Sequence, residues 1–209
     1  MNSTIRCKNC PQLKKQWKCV GNFERNNFTR EEIRNDITKA LKLLYKNDIY
    51  LLKVRANEVC ISTHFFTYFD RLFSKRYINL NIDPEYSRNG ETAKFYEVDK
   101  KSKEKYHYAK PDMIIHKRNC NFHNIVYIEF KPYWNTQINE DYNKLSAFTN
   151  PNELFFYKDI SYSYSYKYGT SIILDLKKVY LNWFKDGGAI PFCREEVDCE
   201  TWSIRQLND

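Results

Sequence analysis

KPDMIIHKRNCNFHNIVYIEFK, residues 110–131, reads as two strands joined by a short polar turn. Pro111 cannot donate to a ladder and pushes its predecessor towards extended backbone, so it suits the first position of a strand. Asp112 opens that strand, and Met113, Ile114 and Ile115 carry it to His116. Residues 124–131 alternate strictly, with Ile125, Tyr127, Glu129 and Lys131 on one face and Val126, Ile128 and Phe130 on the other. The intervening KRNCNFH, residues 117–123, is short enough for a hairpin, which makes the strands antiparallel neighbours about 5 Å apart. Asp112 and Glu129 are then expected side by side, with Lys131 on the face of Glu129.

Two carboxylates on a rigid sheet offer hard oxygen ligands to Mg²⁺ or Mn²⁺, and an adjacent ammonium helps to generate hydroxide from water. That combination suggests metal-assisted phosphodiester hydrolysis. Pro111-Asp112 followed by Glu129-x-Lys131 resembles the motif of the PD-(D/E)xK nuclease superfamily. The resemblance implies a restriction-endonuclease-like fold, Asp112 and Glu129 as metal ligands, and Lys131 activating the nucleophile. The contrasting expectation is an exposed charge pair on an edge strand.

A chain of 209 residues can bury one substantial core. Lys and Arg number 34 against 26 Asp and Glu, a net charge of +8, which suits a polyanionic partner such as nucleic acid. Aromatic content of 17% with only 5 Gly describes a packed chain and excludes a disordered tail or collagen-like repeat. No stretch approaches the ~20 apolar residues of a membrane span, and no apolar leader follows Met1, so a cytoplasmic protein is expected. Seven scattered cysteines point to reduced thiols.

Residues 1–27 form a basic extension with Cys7, Cys10 and Cys19. These three thiols fall one short of a structural Zn²⁺ site, which Cys193 or Cys199 would have to complete. Residues 28–209 are expected to form a single domain. Thr29 and Glu32 have the spacing of a capping box, with Ile33, Ile37, Leu41 and Leu44 continuing a helix to about residue 48. A second helix is expected over residues 57–73. Its stripe is Ile61, Phe65, Phe69 and Leu72, and Glu58 falls within about 60° of it, aiming a carboxylate at the core. A buried carboxylate needs a cation, and in the nucleases this sequence resembles a glutamate from the first core helix commonly joins the metal site. His64 lies beside the stripe and is a candidate for phosphate contact or an ordinary surface histidine. Residues 80–87 read as a first core strand that Pro84 restricts to an edge or a bulge, with Asp83 and Glu85 on one face. The resemblance makes Glu85 a further candidate metal ligand. Asn89-Gly90 reads as a turn, and residues 99–105 as an exposed charged loop.

Beyond Pro132, residues 137–148 hold Ile138, Tyr142, Leu145 and Phe148 on one helical face. Asp141 and Lys144 are read as a surface pair on that helix. Tyr162, Tyr164, Tyr166 and Tyr168 alternate with polar residues and are taken as packing rather than base-stacking groups. Gly169 breaks that run before a buried strand over residues 171–176, and the remaining tail carries no functional signal. The order is helix, three strands, helix, strand, an α/β αβββαβ core with a mixed central sheet flanked by helices. The expectation is an Mg²⁺-dependent nuclease acting on DNA, monomeric or homodimeric. Asp112, Glu129, Lys131 and Glu58 serve chemistry, while His64, Arg88, Lys110 and Lys144 touch nucleic acid. The alternative is a catalytically silent nucleic-acid-binding or interaction module on the same fold.

Overall fold

The computed structural model describes residues 28–89, 92–97, 106–118, 120–157 and 160–207. Cys7, Cys10, Cys19, Gly90 and the loop at 99–105 lie outside them. Helix α1 spans Arg30–Lys53 and starts at the expected capping box, in which Thr29 Oγ1 accepts from the Glu32 amide and Glu32 returns a bond to the Thr29 amide. It runs past residue 48, where Asp48 leaves helical geometry (φ −129°, ψ 18°) and the axis kinks without ending. Helix α2, Glu58–Phe73, is capped by Asn57, whose side chain accepts from the Cys60 amide at 2.7 Å. Ile61, Phe65 and Phe69 are buried as expected, but Phe73 completes the stripe while Leu72 is 43% exposed. Phe73 lies four residues beyond Phe69, an i+4 step that holds the face closer than i+3 does here.

Seven strands form one mixed sheet in sequential order: β1 Asn81–Pro84, β2 Met113–His116, β3 Val126–Pro132, β4 Tyr168–Leu174, β5 Lys178–Lys185, β6 Gly188–Asp198 and β7 Ile204–Leu207. Every neighbouring pair is antiparallel except β3 and β4, which are parallel. A parallel pair needs a crossover, and helix α3, Asn139–Thr149, provides it. Apart from short two-stranded ribbons between β1 and β2 and between α3 and β4, the elements α2, β1, β2, β3, α3, β4 follow the helix, three strands, helix, strand order expected from the sequence within a mixed α/β fold. β1 is an edge strand that ends on Pro84, where the missing N–H costs no ladder bond.

The alternation along β3 sorts two cores. Val126, Ile128 and Phe130 face α1 and α2, with the Phe65 and Phe130 rings 4.7 Å apart. Tyr127 faces α3 in a second cluster with Leu145, Phe148, Tyr164 and Tyr166. The two tyrosines from the alternating run are thus buried, as packing required, but the run is not one strand, since Ser165 turns into the left-handed region (φ 44°). Gly169 does not break the sheet. It sits inside β4 opposite Tyr127, and a Cβ there would stand 2.9 Å from Leu145 Cδ2 and 3.0 Å from Thr149 Cγ2. Glycine lets α3 press onto the parallel pair. Strands β5 to β7 extend the sheet through the tail that carries no functional signal, with Val179, Leu181 and Trp183 alternating inward.

Candidate active site

The register Met113↔Ile128, Ile114↔Tyr127 and Ile115↔Val126 brings Asp112 opposite Glu129 one step further along the hairpin. β2 begins at Met113, one residue after Asp112, and the Asp112 carboxylate turns to accept from the Phe130 amide at 2.6 Å. β3 is central, not an edge strand, so Glu129 and Lys131 are only 3% and 7% exposed. The expectation of a solvated charge pair is therefore excluded. A sheet interior places both groups on the α3 side, where water cannot solvate them.

Lys131 Nζ bridges two helices, 3.2 Å from Glu58 Oε2 on α2 and 3.0 Å from Asp141 Oδ2 on α3. Asn135 Nδ2 also donates to Glu58 Oε2 at 3.4 Å. Glu58 is thus aimed inward from the first turn of α2, as its helical angle implied. Lys144 Nζ lies 3.2 Å from Asp141 Oδ1, 3.6 Å from Glu129 Oε1 and 4.0 Å from Glu140 Oε1. The carboxylates of Glu58, Asp112, Glu129 and Asp141 therefore gather about the ammonium groups of Lys131 and Lys144.

The reading of Asp141 and Lys144 as a surface pair is corrected. Asp141 is 2% exposed and is shared by both lysines, and Lys144 is directed into the cluster. The signal was present: at ~100° per residue Asp141 falls within about 40° of Leu145 and about 20° of Phe148 on the apolar stripe. The same angular argument that singled out Glu58 applies to it.

Charge crowding sets the electrostatics. Burial drives the Asp112 carboxyl up to about 7 against the Phe130 hydrogen bond, and the carboxylates of Glu58 and Asp141 push the same way. Burial also raises Glu129 well above the usual carboxylate range, aided by Asp112 and opposed by Lys144. Burial works against the Lys131 charge, yet Asp141 and Glu58 outweigh it and hold the ammonium more firmly protonated than usual. Lys144 follows the same pattern, with Glu129 and Asp141 overcoming burial. Glu129 Oε1 is buried and has no hydrogen bond among the described residues, and the same holds for Ser171 Oγ, opposite Glu129 on β4.

The other candidates stand apart. Glu85 adopts φ 49° just beyond β1, and its side chain pairs with Lys110 at 2.7 Å. His64 Nδ1 lies 3.1 Å from Asp48 Oδ2, which also accepts from the Tyr68 hydroxyl, so His64 ties α2 to the kink in α1. Arg88 lies in a short ribbon, Arg88–Asn89 paired with Thr92–Ala93, and its carbonyl accepts from Lys94 Nζ at 2.7 Å. Asp83 is held by His116 Nε2 at 2.9 Å and by Arg118, making a separate buried cluster.

Among the described residues no three His, Cys, Asp or Glu side chains stand in metal-holding geometry. The donor chemistry nevertheless suits a hard divalent cation, because the acidic groups offer only oxygen and Glu129 Oε1, though 3.6 Å from Lys144, is buried without a hydrogen bond among the described residues. Among those residues no helix is long and apolar enough to cross a membrane. Comparison with protein-family models, with curated proteins and with solved structures returns no match.

Proposed function

We propose that the chain is a divalent-metal-dependent nuclease of the PD-(D/E)xK type, hydrolysing phosphodiester bonds in nucleic acid, with DNA as the expected substrate. The observation that carries this reading is the crowding of Asp112 and Glu129, neighbours across a hairpin that are both driven towards their protonated forms. A fold gains nothing in stability from two such carboxylates unless a cation arrives to discharge them. The helix, three strands, helix, strand order and the net charge of +8 are consistent with it.

In this account Asp112 and Glu129 hold Mg²⁺ or Mn²⁺, which when bound polarises the phosphate and lowers the pKa of water. Both carboxyls must release their protons as the cation binds, so affinity rises with pH. Lys131 stabilises developing negative charge on the attacking oxygen or the phosphate. Glu58 and Asp141, from opposite helices, fix the Lys131 ammonium, so its position is set before substrate binds. Lys144 moderates the Glu129 charge.

Calorimetric titration with Mn²⁺ at pH 8 tests the site: the parent should bind, and Asp112→Asn and Glu129→Gln should each lose binding while staying folded. Unchanged affinity in both variants refutes it. One observation favours the silent binding module instead, namely that Lys131 and Lys144 already have carboxylate partners. If metal fails to bind, that reading takes over.

A further inference from the structure

Away from the carboxylate cluster, the C-terminal half of α1 and the turns at 175–177 and 199–202 enclose a cavity of about 250 Å³. Three of its lining residues are lysines, Lys42, Lys46 and Lys177, against the single acid Glu200. None of the three ammonium groups has a carboxylate partner among the described residues, whereas the adjacent Lys178 is spent on Glu196 at 3.1 Å. Nearby carboxylates are occupied by backbone. Asp198 accepts from the amides of Glu200 and Thr201, and Asp175 accepts from the amide of Leu176. Both carboxylates keep their charge, but their oxygens are turned to backbone amides, and the lining itself presents three ammonium groups against one acid.

The cavity also has an aromatic wall. Trp202 adopts φ 59°, a left-handed conformation that a bulky residue takes only when its surroundings enforce it. Its amide donates to the Asp198 carbonyl at 2.8 Å, and its ring stands edge to face with Tyr45 at 5.7 Å, with Lys42 Nζ 5.6 Å from the ring centroid. Tyr45 is itself pinned through its hydroxyl to the Asp175 carbonyl. The indole is thus a fixed surface beside the lysine ammonium groups, one of which, Lys42, already lies over one of its faces, and an aromatic beside cations is the pairing used to hold a base and its phosphate.

We infer that this cavity binds a nucleotide unit, the phosphate on Lys42, Lys46 and Lys177 and the base against Trp202. Its volume falls just below the ~300–1,000 Å³ of drug-sized ligand sites, so a single nucleotide unit would seat only in part, and an extended peptide less so. The unit can be a free mononucleotide or one residue of a single strand. β4 runs parallel to β3 with Ile173 opposite Lys131, and the chain reaches Leu176 and Lys177 three and four residues later. The cavity therefore lies beyond the end of the sheet at which both β3 and β4 finish, and on the nuclease reading a bound strand would run from there towards the cluster. Binding itself does not depend on that reading.

The test is done in EDTA, where no metal-dependent cleavage occurs, with AMP by calorimetry and a labelled single-stranded DNA 12-mer by fluorescence anisotropy. Lys46→Glu/Lys177→Glu reverses two exposed charges, and Trp202→Leu removes the aromatic wall; melting curves check that both fold. At least one probe should bind the parent, with affinity at least tenfold weaker in the charge-reversal variant and about fivefold or more weaker in Trp202→Leu. Loss on both probes identifies a mononucleotide site, and loss on the 12-mer alone identifies a strand anchor. Absence of binding to the parent, or binding that both variants retain, overturns the inference. A parent that binds in EDTA yet cleaves nothing in any metal would count against the nuclease reading alone.

Discussion

Replacing Asp112 by asparagine should stabilise the metal-free protein, by an amount that grows as pH rises from about 4 to about 7 and is full above that. The carboxyl is raised from 3.8 in the unfolded chain to about 7 in the fold. Below 3.8 both states hold the proton and the group is neutral in its effect. Between 3.8 and about 7 the folded state keeps a proton that the unfolded chain has released, so stability falls as pH rises, and the loss is complete above 7. Roughly three units at 1.36 kcal/mol each set an upper bound of about 4 kcal/mol. Relaxation and water entry reduce this, and about 1–2 kcal/mol is the working figure. Asparagine is isosteric, and its carbonyl oxygen can still accept from the Phe130 amide, which removes the charge without removing the bond. For a chain of this size the gain corresponds to about 2–8 °C in Tm. Thermal melts in EDTA at pH 4 and pH 8 should show the variant level with the parent at the first and above it at the second. An equal offset at both, or destabilisation at pH 8, would mean that Asp112 is a structural partner of the strand and is not electrostatically crowded.

Asp141→Ala should cost about 3–5 kcal/mol in urea melts, because it leaves the Lys131 and Lys144 ammonium groups short of a shared buried carboxylate; a cost below 1 kcal/mol would return the pair to the surface. Gly169→Ala forces a Cβ to within 2.9 Å of Leu145 and should destabilise by about 1–3 kcal/mol, whereas a stabilised variant would show that α3 has room to move. Asp83 is opposed by burial but held at about 2 by His116 and Arg118, so its stabilisation is full above 3.8 and fades as pH falls through 2. Asp83→Asn should therefore lose about 2 kcal/mol at pH 7 and close on the parent near pH 2, and a gap that persists in acid contradicts this.

The hairpin was legible because three local signals agree: Pro111 at a strand start, strict alternation over residues 124–131, and a turn of hairpin length. The capping box at Thr29 and the inward angle of Glu58 were legible for the same kind of reason, since each depends only on spacing within one element. Asp141 was missed because an i,i+3 acid–base pair looks like any solvated helix face, and its burial comes from β3 and β4 beneath it. Gly169 was misread because a close helix approach is a tertiary fact that leaves the same single-residue mark as a strand break. The pairing of Glu85 with Lys110 depends on the left-handed turn after Pro84, which alternation alone does not reveal. Sheet growth through β5 to β7 was written in the alternation of Val179, Leu181 and Trp183, and went unread.

Whether this cluster cleaves phosphodiester bonds is decided by incubating the parent and Lys131→Met with plasmid, single-stranded DNA and RNA in Mg²⁺, Mn²⁺ or EDTA. The parent should cleave in divalent metal only, and Lys131→Met at a rate at least ~100-fold lower while DNA affinity changes less than about tenfold. A parent that cleaves none of the three in any metal, or a Lys131→Met variant that cleaves as fast, contradicts the nuclease reading.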